Sequence, residues 1–383
     1  MCPDRSGGFP ADLTSRIFTR PITIQSKLAF FLAITASECP LREPQLDGLR
    51  AIALLSVFYS HFWEESSNLG HLGVRFFFVL SGFLITSILL NARAHDNHAA
   101  ATIAFFARRA ARIWPPYFLL LGCCWLAAGA LKLPLMNESL PWHALFLSNI
   151  WYAAHGPEPW ALQHLWTLAV EEQFYLIWPF VILALPSRHL LKLCGALVSC
   201  TIFYRASAFA LGKVDEANAL PFDSIDALAA GAALSFLAVD GRSFPRWLLW
   251  VSVPVGVAGF IMQIAFDLGN LVEWVLLEGA LVLPLTAIVA VASKGQLLKI
   301  LANKSLSGLG RISYGAYLYH LPLWAVLLRL SDHFGMGDLF VRGPFTMVVV
   351  GSLSTLMALA SWVMLERPVM AWSKRVTNRP APA

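Results

Sequence analysis

The sequence predicts an all-α, polytopic integral membrane bundle of about ten transmembrane helices, and three observations predict it. Of 383 residues, 57% are hydrophobic and only 13% are charged, against about 25% charged in an ordinary soluble domain. Mean hydropathy is +0.63. Apolar tracts close to the ~20 residues needed to cross a bilayer core recur from residue 46 to residue 365, separated by polar breaks.

Residues 1–45 are mixed in character and contain Arg5, Arg16, Arg20, Lys27 and Arg42, with the short apolar run "LAFFLAITA" at 28–36. That run is half a spanning length and no A-x-A-like site follows cleanly. The segment is therefore expected to be a cytoplasmic N-terminal extension rather than a signal peptide. Expected spans follow at 46–63, 73–91, 113–131, 166–185, 190–211, 225–239, 247–266, 272–292, 312–330 and 344–365. Together they define a membrane domain over 46–367, with 368–383 left as a cytoplasmic tail. Between the third and fourth spans, "PWHALFLSNIWYAAHGPEPWALQ" at 141–163 is too short and too proline-bounded to cross. It reads as a re-entrant or interfacial segment.

Positive charge orients the bundle. Arg108, Arg109 and Arg112 lie in the 92–112 connection, whereas the 64–72 connection holds Glu64 and Glu65 and no Lys or Arg. The positive-inside rule puts the first in the cytoplasm and the second outside. Alternation through ten spans then brings "SRHLLK", "DGRSFPRW", "KGQLLKILANK" and "SKRVTNR" all to the inner side, with both termini cytoplasmic. The net charge of +5 is spent on these connections, which leaves no basic face for nucleic acid. The six cysteines include no CxxC pair, which argues against structural disulfides and against a zinc site. No metal is expected.

Ionisable groups inside a bilayer mark function or a buried pair. Arg50 and His61 lie eleven residues apart in the first tract, about 16 Å along one helix and within about 20° of the same face. Asp47 stands at i,i+3 to Arg50. The fourth tract, "LWTLAVEEQFYLIWPF" at 165–180, holds Glu171 and Glu172, adjacent carboxylates with no routine structural use in a membrane helix. The topology puts them toward the same outer half as His61, where a carboxylate can fix the imidazole tautomer for general-base work. In "RRAAR" at 108–112, Arg109 and Arg112 share a helix face. They serve as positive-inside anchors, as a bidentate phosphate grip, or as both. Two further groups read equally as packing or chemistry: Tyr314, Tyr317 and His320 in "GRISYGAYLYHLPL", and Asp223 and Asp226 in "FDSIDALAAG". Tryptophans 63, 142, 151, 160 and 166 fall on the outer side, as an interfacial belt does, though aromatic faces also suit sugar rings. No G-x-S-x-G elbow, P-loop or H-E-x-x-H pair occurs.

The R-x10-H of Arg50 and His61 and the R-x-x-R of Arg109 and Arg112 occur in one order with "GVRFFFVLSGFLIT", "LWTLAVEEQFYLIWP" and "ISYGAYLYHLP". In this the chain resembles the membrane acyltransferase 3 family, the O-acetylases of bacterial surface glycans and related acceptors, over about residues 45–370. The resemblance implies transfer of an acyl group, usually acetyl, from cytoplasmic acyl-CoA to a hydroxyl of a carbohydrate or lipid-linked glycan acceptor in the bacterial inner membrane. It implies that His61 is catalytic with Arg50 in support and that Arg109 and Arg112 are tied to the donor; the reading of the intramembrane residues adds Glu171 and Glu172 beside His61, with Asp226, Tyr314 and His320 as candidates for contact with the acceptor. Two departures stand out. Ser224 occupies the position where many relatives carry an arginine two residues before the aspartate matching Asp226, and the chain ends shortly after "ERPVMAWSKR" where some relatives continue into an esterase-like domain. A transporter or flippase is the alternative that intramembrane Arg, His and Glu also allow.

Overall fold

The computed structural model describes residues 43–93, 98–157, 159–242, 244–265, 274–275, 277–295 and 299–377. The expected N-terminal extension falls almost wholly outside them. Among the described residues there is no strand. The α-helices longer than four residues, in chain order, are α1 (Pro44–Phe62), α2 (Leu69–Arg93), α3 (His98–Leu126), α4 (Met136–Ala144), α5 (Ser148–His155), α6 (Leu165–Ala184) and α7 (Ser187–Ala210). Then come α8 (Pro221–Val239), α9 (Arg246–Ala265), α10 (Glu278–Ala292), α11 (Lys304–Arg311), α12 (Ser313–His333), α13 (Pro344–Ser361) and α14 (Arg367–Thr377).

Local chemistry sets many of the boundaries. Proline occupies the first helical turn of α1, α8 and α13, where its missing N–H has no intrahelical partner to lose. Asp47 and Asp223 lie in the first turns of α1 and α8, favourably placed against the positive end of the helix dipole. The Asn303 side chain caps α11 by accepting from the Ser305 N–H at 2.9 Å. Five of the long or apolar helices carry an internal proline, at Pro116, Pro179, Pro254, Pro284 and Pro322 among others, as membrane helices tolerate.

The tightest packing is between α2 and α8. A side chain at Gly82 would run into the Leu228 carbonyl, and one at Gly231 into the Val79 carbonyl. Small residues thus let two backbones touch, the usual way membrane helices associate without a hydrophobic driving force. Helix α7 packs on the far side of α8, while α1 packs on α2 and on α11. Helix α12 lies against α13 and also reaches α1.

Five described helices are long and apolar enough to cross a membrane: Leu69–Arg93, Leu165–Ala184, Ser187–Ala210, Pro221–Val239 and the continuous Pro344–Val376. The count of about ten expected from the sequence is not reached on this measure. The difference falls on α1, α3 and α12, whose apolar faces are interrupted by Arg50, by Arg108, Arg109 and Arg112, and by Arg329, on α10, which has 15 residues, and on α9, which is not among the five. A second correction concerns 92–112, read as a connection. Residues 98–112 are the first half of the 29-residue α3, because an Ala- and Arg-rich run is strongly helix-forming. The stretch 141–163 holds the end of α4, all of α5 and a single 3-10 turn at Trp160–Leu162, each far shorter than a bilayer core.

Candidate functional site

Helix α1 carries His61 in its last turn, and α12 brings His320 against it from 259 residues away: His61 Nδ1 lies 2.7 Å from His320 Nε2. The two rings are parallel to within 5°, their centroids 5.0 Å apart. His320 is fully buried, and its Nδ1 is hydrogen-bonded to the Tyr317 carbonyl. A carbonyl only accepts, so His320 Nδ1 carries the proton and, in the neutral ring, Nε2 offers a lone pair. It follows that His61 donates through Nδ1–H, and that the lone pair of His61 is on Nε2. These tautomers are inferred from the hydrogen-bond network. The result is a half-buried imidazole with its basic nitrogen free and its other nitrogen fixed by a buried partner.

A third histidine completes this cluster. His164, just before α6, packs its ring edge-on to His320 at 4.7 Å between centroids. Its Nε2 donates to the Leu318 carbonyl at 3.1 Å, while Nδ1 is buried and unpaired. His61 and His164 both line a cavity of about 240 Å3, together with Trp166, His71 and Asn218. Beyond it, Arg342 donates to the His61 carbonyl at 3.2 Å and to Glu65 at 2.6 Å. The acidic pair after the first tract is thus partly a fastening for the chain beyond His61.

A second, smaller cavity of about 80 Å3 is cationic: Arg50, Arg109 and Arg112 converge on it with Glu171, Ser81 and Tyr314. Ser81 donates to Glu171 at 2.7 Å, and Tyr314 to the Ile113 carbonyl at 2.8 Å. The Arg109 guanidinium sits between the rings of Phe105 and Tyr175, at 5.9 and 5.5 Å from their centroids. Arg50 lies 3.5 Å from Asp47. A π-helical segment, Trp362–Glu366, places buried Glu366 near Arg112; such segments often occur at functional positions. The two cavities share three wall residues, Val74, Thr167 and Tyr317. The Tyr317 hydroxyl is 2.8 Å from Thr167 Oγ1 and donates to the His164 carbonyl at 3.1 Å.

A buried charge network adjoins the His61 cavity, with His71 common to both. Arg75 of α2 grips Asp226 of α8 with Nη2 at 2.6 and 2.5 Å from its two oxygens. Arg205 of α7 donates to Asp223 Oδ1 at 2.8 Å and to the Asp223 carbonyl at 2.5 Å, and its Nη1 lies 3.5 Å from Asp226. Glu278 of α10 takes His71 at 3.1 Å and stands 3.8 and 3.6 Å from Arg75 and Arg205. His71, Asp223 and Glu278 have ligand atoms within 4.8 Å of one another, yet two fixed guanidinium groups beside those carboxylates oppose a divalent cation.

The sequence-predicted residues therefore separate into groups. Arg50, Arg109, Arg112, Glu171 and Tyr314 meet in one cavity, with Glu172 beside Arg109. His61 and His320 meet in the other. Asp226 is engaged by Arg75 and Arg205. The expectation that a glutamate orients His61 is corrected: the orienting partner is His320. Glu171 lies seven residues beyond His164, about 10 Å further along the helix, and bonds Ser81 instead. Arg75, Arg205, His71, His164 and Glu278 were not singled out from sequence. Arg75 and Arg205 stand inside expected spans, where an ionisable group is itself a signal. Arg205 also answers the departure at Ser224, since it supplies a guanidinium to the same carboxylates from the preceding helix.

A family model described as an acyltransferase domain matches residues 43–366. Over 356 residues the chain is 27% identical to the O-acetyltransferase OatA of Staphylococcus aureus strain NCTC 8325 / PS 47, covering 85% of this chain and 57% of that protein. OatA of strains COL and MRSA252 aligns with the same figures, 27% identity over 356 residues with 85% and 57% covered. The chain thus spans little more than half the length of these relatives. No solved structure matches it.

Proposed function

The chain belongs to the acyltransferase family whose model spans residues 43–366, and from that premise we propose that it is a membrane O-acetyltransferase using His61 as general base. The observation that carries this reading is the free Nε2 of His61 in a cavity of about 240 Å3, with Nδ1 tied to buried His320. In this scheme acetyl-CoA is the donor and a hydroxyl of a carbohydrate or lipid-linked glycan is the acceptor. The donor's anionic portion docks on Arg109, Arg112 and Arg50, where bidentate guanidinium contacts suit phosphate. Its thioester reaches the partition formed by Val74, Thr167 and Tyr317. The acceptor enters the His61 cavity.

The proton of the acceptor hydroxyl passes to His61 Nε2 as its oxygen attacks the thioester carbonyl. The resulting imidazolium keeps its Nδ1–H on His320 Nε2 and returns the other proton to the departing thiolate as the C–S bond breaks. Free CoA and an O-acetyl ester remain. His164 lines the same cavity and its Nδ1 is an unpaired acceptor, which in this scheme takes a hydrogen bond from a neighbouring hydroxyl. In the cell the protein sits in the bacterial cytoplasmic membrane, with the α3 arginines and both chain ends on the cytoplasmic side.

Membranes carrying the protein, incubated with acetyl-labelled acetyl-CoA, should yield labelled acceptor, and His61→Ala should abolish that labelling while leaving the protein inserted. Wild-type-like labelling by His61→Ala would remove the histidine from the mechanism. A transporter or flippase would give no labelled acceptor with either protein.

A further inference from the structure

Beside the His61 cavity lies another of about 220 Å3, walled by Asn68, Arg75, Asp215, Trp274 and Glu278 and sharing His71 and Asn218 with it. Two hydrogen-bond donors on this wall are buried and unpaired: the indole Nε1–H of Trp274 and the Nε–H of Arg75, on residues that are 6% and 1% exposed. Neither nitrogen can accept, and buried polar groups are as a rule satisfied. Both belong to side chains that line the cavity, and an oxygen acceptor bound there is one way to satisfy them. The same wall also offers acceptors, the carboxylates of Asp215 and Glu278, and two amides that do either, Asn68 and Asn218.

Charge narrows the ligand. Asp215 and Glu278 disfavour an anion, and Arg75 with the adjoining Arg205 and His71 disfavours a cation. A neutral ligand whose groups both donate and accept satisfies donors and acceptors together, and a polyhydroxylated ring does this. The two cavities are nearly equal in size and adjacent, with His71 and Asn218 common to both walls, as neighbouring units of a glycan would require.

We propose that this cavity is a second saccharide subsite, holding the unit next to the one acylated at His61, so that the enzyme prefers an acceptor of two or more units to a free monosaccharide. The proposal rests on the acyl-transfer reading above. Trp274 supplies the donor to a ring or hydroxyl oxygen, and Asn68 and Asn218 flank it.

The test uses the whole 383-residue chain in detergent with labelled acetyl-CoA. Acceptors are fractions of one, two and three units from a partial acid hydrolysate of the source bacterium's own surface glycan. Wild type should acetylate the two-unit fraction with the higher kcat/KM. Trp274→Leu, which keeps apolar bulk but removes the N–H, and Asn68→Ala should each lower kcat/KM for the two-unit fraction by about tenfold, the scale of one hydrogen bond. Transfer to the one-unit fraction should be retained, which also certifies the fold. An undiminished length preference in both variants, or equal losses on both lengths, would overturn the subsite. Absence of label in every fraction with wild type would instead overturn the acyl-transfer reading, and the subsite with it.

Discussion

Replacing His320 probes the assignment of the basic nitrogen most directly. In His320→Ala the His61 Nδ1–H loses the acceptor that stands 2.7 Å away, in surroundings packed by Phe58 and Phe62 at 5.5 and 5.8 Å from the His320 ring. An unsatisfied buried donor costs about 1–3 kcal/mol. The ring relieves that cost by rotating, or by moving its proton to Nε2, and either change removes the base. At 1.36 kcal/mol per factor of ten, kcat for acetyl transfer should fall about 5- to 160-fold. The KM for acetyl-CoA should stay unchanged, because the arginine cavity does not include His320. His320→Gln puts an amide oxygen within reach of the same N–H and should recover most of the loss, and it also fills the volume that alanine leaves empty. Initial rates at saturating acceptor, with donor concentration varied and folding checked by elution profile, decide the matter. A His320→Ala enzyme with wild-type kcat, a loss expressed only in donor KM, or a glutamine variant no better than alanine would each refute the orientation argument.

The donor and scaffold assignments have their own tests. Arg109→Ala should raise the KM for acetyl-CoA about 10- to 160-fold, from the ~1.5–3 kcal/mol of a hydrogen bond to a charged group, with little change in kcat; an unchanged donor KM returns this arginine to the role of membrane anchor. Arg75→Met strips Asp226 of a partner 2.5 Å away and should destabilise the protein by about 3–5 kcal/mol, as does breaking a buried pair from one side. A thermal midpoint in detergent equal to wild type would show that Arg205 alone suffices for that carboxylate.

The helical architecture is legible in composition and in the length of the apolar tracts, and so is the position of each charge along its own helix. Arg50 and His61 could be set on one face from spacing alone. What period does not contain is which helix stands opposite. Arg50 turns out to share a cavity with Arg109 and Arg112 of α3, and His61 to share a proton with His320, a contact spanning 259 residues. The adjacent glutamates stand out in the sequence, but their neighbours in the fold do not. They meet the arginines because α6 enters at His164 and descends past the dyad before reaching them. Arg75 and Arg205 were hidden in runs such as "GVRFFFVLSGFLIT", where a single charge looks incidental until the carboxylates that neutralise it are seen.

The pairing of Arg75 with Asp226 also bears on how the protein is made. An arginine at the centre of a lone membrane helix disfavours insertion by about 2.5–3.5 kcal/mol, and one nearer an end by less; Arg75 is the seventh residue of the 25-residue α2, and its neutralising carboxylate is encoded 151 residues later. At about 5–20 residues per second, α2 must wait roughly 8–30 seconds for α8 to leave the ribosome. Through that interval α2 is held by its apolar length alone, or kept in the insertion machinery. The glycines that bring α2 and α8 into backbone contact can act only once α8 has been made.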